Sequence, residues 1–135
     1  MRLLFWYAMQ TMKFIRVNNA LIHGIASIDP KGFHIMISRS QNFRIFNLNL
    51  QAPGDSPNTD GIHMSISNLV EISESVIATG DDCVSMIQGS TNISVNKVIC
   101  GPGHGFRYFP FPYSNSSQAQ TLIKHSLKLL HVHVR

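Results

Sequence analysis

Asn68-Leu-Val-Glu-Ile-Ser-Glu-Ser-Val-Ile has three relatives elsewhere in the chain: Asn19-Ala-Leu-Ile-His-Gly-Ile, Asn42-Phe-Arg-Ile-Phe-Asn-Leu and Asn92-Ile-Ser-Val-Asn-Lys-Val-Ile. Each opens on an Asn and runs on with rough period-two alternation of apolar residues, the pattern of a strand. Their starts lie 23, 26 and 24 residues apart. A period in the twenties, carried by β-branched strands with no helical stretch between them, indicates a solenoid. Leucine-rich repeats share that period, but their Leu-rich consensus is absent. Coils of a right-handed parallel β-helix fit the pattern instead. The fold class expected is all-β, with about four coils.

A second set of strands precedes the first: Phe33-His-Ile-Met-Ile-Ser, Gly61-Ile-His-Met-Ser-Ile-Ser and Cys83-Val-Ser-Met-Ile. Between the sets lie turns rich in Gly and Pro, the residues that tight turns demand. These are Ala52-Pro-Gly-Asp-Ser-Pro, Ala78-Thr-Gly and Gly101-Pro-Gly. Each turn leads into a polar group. Asp60, Asp82 and His104 follow one another at intervals of 22 residues, with Asp81 beside Asp82. Stacked coils are spaced like neighbouring strands, about 4.8 Å apart. The period therefore sets Asp60, Asp82 and His104 as a ladder on one outer face, in a chain with only seven acidic residues. Paired carboxylates in that arrangement are the equipment of glycosidic bond hydrolysis. A lone Asp-Gly such as Asp60-Gly61 would read as a turn cap. Three motifs in order do not.

At 135 residues the chain makes one domain at most. Charged residues are 13% and hydrophobic residues 44%, as suits coils wrapped round an apolar interior. The formal charge of +4 is scattered, with no dense Lys/Arg run, which favours an acidic polysaccharide over nucleic acid as partner. Met1-Arg-Leu-Leu-Phe-Trp-Tyr-Ala-Met looks like the front of a signal peptide. It lacks a small-residue cleavage site and is far too short to span a bilayer, so we read it as a strand or a stray start. Asn92-Ile-Ser and Asn115-Ser-Ser match the glycosylation triplet, which matters only in a secreted protein.

Ala52-Pro-Gly-Asp-Ser-Pro-Asn-Thr-Asp-Gly-Ile-His, Thr79-Gly-Asp-Asp-Cys-Val-Ser and Cys100-Gly-Pro-Gly-His-Gly together carry a resemblance. Over residues 13–105, about two thirds of the chain, the sequence resembles the plant polygalacturonases, the pectin-hydrolysing family 28 of glycoside hydrolases. The likeness is greatest to exopolygalacturonases of the pollen type. It implies inverting hydrolysis of α-1,4-linked galacturonic acid in pectin, without a cofactor or metal, by a monomeric protein secreted to the cell wall. It assigns Asp81 as the general acid. Asp60 and Asp82 become the pair that holds and deprotonates the attacking water. His104 is the histidine that helps set the acid's protonation, and Asn58 a polar residue beside the sugar. Crowding three carboxylates on adjacent coils must raise at least one pKa. Adjacent coils suggest a short carboxylate separation, whereas inverting enzymes usually keep about 6.5–9.5 Å. The inverting assignment rests on the resemblance alone.

Cys83 and Cys100 are the only cysteines. Taken by themselves they suit buried free thiols, or a disulfide in an oxidising compartment; the resemblance implies the disulfide. Beyond Gly105 the likeness stops at Phe106-Arg-Tyr-Phe-Pro-Phe-Pro, and the family's later Arg-x-Lys motif has no counterpart in these 135 residues. The expected organisation is an irregular N-terminal segment over 1–12, a partial β-helix over 13–105 and a divergent tail over 106–135. A truncated or mis-spliced product, weakly active or limited to binding pectin, is the expectation. The tail's Gln118–His131 stretch has an uneven apolar face and is expected to be irregular or a short helix. His125, His131 and His133 lack a carboxylate or Cys partner, so they carry no metal assignment.

Overall fold

The computed structural model describes residues 11–87, 89–109, 127–129 and 132–134. Among them every regular element is a strand and every strand pairing is parallel. The chain winds through about four turns of a solenoid. One sheet stacks β1 (Met12–Ile15), β4 (Ile35–Ser38), β7 (Ile62–Ser65), β9 (Asp82–Ile87) and β11 (Gly105–Phe109), in that order. The second stacks β2 (Asn18–His23), β5 (Gln41–Phe46), β8 (Asn68–Ala78) and β10 (Thr91–Cys100). The short strands β3 (Ala26–Ile28) and β6 (Asn49–Gln51) continue its outer coils and pair onto the far half of β8.

Alternation along each strand sends one apolar set inward, and register stacks it. Ile35, Ile62 and Val84 form one column; Ile37, Met64 and Met86 form the next. They face columns Phe43, Val70, Ile93 and Ile45, Ile72, Val95 across the interior. All of these residues are buried. The first-sheet strands are the second strand set of the sequence reading, and the Asn-led strands form the other sheet.

Corners between strands are made by residues in the left-handed region, repeated coil after coil. Gly24, Asn47, Glu74 and Lys97 make one such column; Arg16, Arg39 and Ile66 make another. The Asn-led column differs in one rung from the sequence expectation. Asn19, Asn42 and Asn92 have φ of 65°, 58° and 53°, but the fourth member is Leu69 at 56°, not Asn68. Asn68 pairs with Gln41 and Thr91, one residue ahead. Its Oδ1 accepts from Asn92 Nδ2 at 2.8 Å, whereas Asn42 Nδ2 donates to Asn19 Oδ1 at 2.7 Å within the true column. The 26-residue interval contains three extra residues relative to the 23-residue one, and that longer loop, together with the strand register, moves Asn68 off the rung.

The tail expectation also needs correcting where the structure describes it. Leu127–Leu129 (β12) and Val132–Val134 (β13) are strands, both paired with β10. The exposed backbone edge of the last coil is a template for further pairing, and that outweighs a helix whose apolar face was uneven. The remainder of the 118–131 stretch, the signal-like N-terminus and His125 and His131 lie outside the described residues. Strand β11 ends at Phe109, immediately before Pro110, where a ladder donor would be missing. Among the described residues no helix is long and apolar enough to cross a membrane.

Leu69 is 53% exposed, so its side chain contributes little to the core while its left-handed backbone costs about 1–2 kcal/mol. Leu69→Asn should raise stability by about 1 kcal/mol, since Asn tolerates this conformation and completes the column. Urea unfolding followed by far-ultraviolet circular dichroism would show the midpoint moving upward.

Candidate active site

The three polar motifs sit in the turns that lead into the first sheet, each turn resting on the one before. The 52–61 turn is closed by Ser56, whose Oγ donates to the Pro53 carbonyl. Thr59 Oγ1 then accepts from the Gly80 N–H at 3.1 Å, tying the first turn to the second. The third turn comes so close that a Cβ on Gly103 would lie on the Asp81 carbonyl, so no larger residue fits there. The His104 N–H donates to that same carbonyl at 2.9 Å.

Ile62 pairs with Val84, which sets Asp60 beside Asp82 two residues earlier, as the 22-residue interval implies. The third rung is shifted. Gly105 pairs with Asp82, and a bulge between Gly105 and Phe106 alters the register there. His104 consequently lies nearer Asp81, its Nδ1 3.1 Å from Asp81 Oδ1 and 3.9 Å from Asp82 Oδ1. A regular period does not reveal a bulge, so the sequence put His104 on the Asp82 column.

Asp81 is half-buried and held by backbone. The Asp82 N–H donates to its Oδ1 at 3.0 Å, and the N–H of Asn58 donates to its Oδ2 at 3.2 Å. Asn58 makes that reach from a left-handed backbone, φ 56°. Asn58 is thus tied to the cluster through its main chain. Asp60 and Asp82 are only 5% and 3% exposed, but both are buried among polar groups at the end of the coil. Asp60 Oδ2 accepts a 2.5 Å hydrogen bond from Ser85 Oγ, with His63 Nδ1 at 3.7 Å. Asp82 Oδ1 faces the Arg107 Nε at 3.2 Å yet meets no donor in good hydrogen-bonding geometry.

These surroundings set the charge. Burial, then the negative charge of Asp60, pushes the Asp82 carboxyl from 3.8 up to about 6, against a downward pull from Arg107. Asp81 raises it further and His104 lowers it. Only a carboxyl group that keeps its proton well above the usual range can serve as an acid in mildly acidic medium. One oxygen each from Asp81 and Asp82 and a nitrogen of His104 lie within 4.8 Å of one another, a grouping able to accept a divalent cation. The Arg107 guanidinium already brings positive charge to the same oxygen of Asp82.

His63, Ser85 and Arg107 were not singled out as site residues from sequence. They are also 22 residues apart, each three positions after Asp60, Asp82 and His104. The register confirms the column, His63 against Ser85 and Ser85 against Arg107. The signal was the same period, read at a neighbouring phase. Cys83 and Cys100 are disulfide-bonded, closing the coil directly behind Asp82. A link across 17 residues restrains the unfolded chain by about 3 kcal/mol.

The sequence profile of the glycosyl hydrolases family 28 matches residues 8–107. The chain belongs to that family. It is 52% identical over 95 residues to an exopolygalacturonase of Arabidopsis thaliana, covering 70% of this chain and 22% of that protein. It is 52% identical over 89 residues to a polygalacturonase of Medicago sativa, covering 66% and 21%. An exopolygalacturonase of Zea mays is 46% identical over 89 residues, covering 66% and 22%. The chain spans about a fifth of the length of these curated relatives. The family's segment includes every motif described above.

A carboxyl whose folded pKa lies above its unfolded value binds more protons in the folded state between the two. Stability therefore falls as pH rises from 3.8 to about 6 and then levels off. Asp82→Asn should remove that decline and leave the protein more stable at neutral pH. Urea midpoints measured at pH 4, 5, 6 and 7 for both proteins would display the converging curves.

Proposed function

We propose that this chain carries the acid/base centre for inverting hydrolysis of α-1,4-galacturonosyl linkages in polygalacturonate. The supporting observation is the convergence of Asp60, Asp81, Asp82 and His104, with one carboxyl of the group keeping its proton up to about pH 6. Asp81, held by two N–H groups beside His104, protonates the leaving glycosidic oxygen. Asp60 and Asp82 hold the attacking water and take its proton. The proton belongs to the interacting cluster rather than to one residue, so the singly protonated cluster is the working form. Asn58 belongs to the sugar-binding edge. The substrate class follows the names of the relatives, and with it a place of action in the cell wall after secretion. Asp81 and Asp82 approach more closely than inverting carboxylates usually do, so the stereochemistry follows the family.

Arg107 favours a second reading, pectin binding without turnover. Its guanidinium engages Asp82, and an exposed cation there suits a uronate carboxylate whether or not the bond is cut.

A reducing-end assay on polygalacturonate separates the two. Hydrolysis should fall about 10²–10⁴-fold in Asp81→Asn, the usual contribution of a positioned acid. It should also decline above about pH 6, where the cluster loses its last proton. Binding with no release of reducing ends at any pH would establish the second reading.

A further inference from the structure

The column His63, Ser85, Arg107 runs beside the catalytic turns without belonging to them. Ser85 is 1% exposed, and its hydroxyl has one proton to give. That proton goes to Asp60 Oδ2 across 2.5 Å. The Ser85 oxygen must then act as acceptor toward its other neighbour, His63 Nδ1 at 2.7 Å. This fixes the imidazole with a proton on Nδ1, a tautomer assignment made from the direction of the chain of bonds. Phe33 stacks on the same ring with centroids 4.5 Å apart and holds its plane. The chain of donors thus points from His63 through Ser85 to Asp60, and a carboxylate receiving such a bond is favoured in its charged form.

At the other end of the column, Arg107 stands 3.2 Å from Asp82 Oδ1 and its Nη2 lies 3.4 Å from His104 Nδ1. We propose that His63, Ser85 and Arg107 are positioning residues that decide which carboxyl of the cluster keeps the shared proton. Ser85, backed by His63, holds Asp60 ionised and so leaves the proton to Asp82, while Arg107 limits how tightly Asp82 retains it. This deepens the proposed acid/base function, because it selects Asp60 as the group free to receive the proton of the attacking water.

The charged and titratable groups facing Asp60 are few. His63 comes from its own coil; Asp82 comes from the next, with Asp81 beside it. From the preceding coil, the His34 N–H donates to the Asp60 carbonyl at 2.9 Å. Burial keeps the His34 imidazole neutral, its pKa lowered to about 4. Arg107 and His104 approach from beyond Asp82.

The test is site-resolved carbon-13 NMR of the aspartate carboxyl groups between pH 3 and 8, in the whole chain, with Asp60→Asn and Asp82→Asn for assignment. It needs no turnover, so it stands apart from any failure of the hydrolysis assay. In the unaltered protein the uppermost carboxyl titration should belong to Asp82. Ser85→Ala should transfer that step to Asp60 and lower the Asp82 midpoint by about one unit. His63→Phe, which keeps the stack on Phe33, should shift Asp60 in the same direction by less. Arg107→Gln should move Asp82 the opposite way, upward. Opposite signs from two residues of one column are not what a general loosening of the fold produces. If Ser85→Ala does not fold, the His63→Phe and Arg107→Gln pair still reads the sign difference. An upper step that stays on Asp82 with an unchanged midpoint in all variants would overturn the proposal, as would shifts of one common sign.

Discussion

Parallel pairing between successive coils is the constraint on which the rest of this molecule depends. Each coil offers its backbone N–H and C=O groups to the coils before and after it, and these bonds leave no choice in how residues one period apart are placed. Columns of like residues follow: Ile35, Ile62, Val84 inside, and the left-handed corner residues outside. The same register that stacks a core also stacks a site. Asp60 and Asp82 stand side by side because Ile62 and Val84 do.

Such stacking carries an electrostatic cost that the site uses. Carboxylates held at strand spacing repel, and burial removes the water that would screen them. The structure answers with donors drawn from the same columns. Backbone N–H groups of Asn58 and Asp82 serve Asp81, the Ser85 hydroxyl serves Asp60, and the Arg107 guanidinium serves Asp82. Where that supply is least complete, at the buried Asp82 Oδ1, the pKa is raised. An unfavourable group is thereby kept in the one place where a retained proton has a chemical use. The disulfide behind Asp82 and the close approach at Gly103 hold the strained turns against relaxation.

Much of this was legible before any coordinates. The recurrence of Asn-led strands was enough for the solenoid, and the 22-residue interval brought the two buried aspartates together. The same interval led astray at two rungs. Asn68 is replaced by Leu69 in the corner column, and a bulge after Gly105 moves His104 to Asp81. Periodicity reports an average repeat, whereas a bulge or an inserted residue changes phase without changing composition. The 118–131 stretch was read from its own apolar face, which takes no account of the open strand edge on β10 that Leu127–Leu129 joins.

The sequence by itself determined the architecture, the family and the identity of the acidic cluster, because hydrophobic period and turn chemistry are local properties written along the chain. Only the tertiary structure decided the charge on that cluster. Asp60, Asp81 and Asp82 are chemically alike, and no spacing distinguishes them. What separates them is which oxygen receives Ser85, which meets Arg107 and which is left buried with too few donors. Those are relations between coils, set by side-chain direction and depth, and they exist only once the coils are stacked.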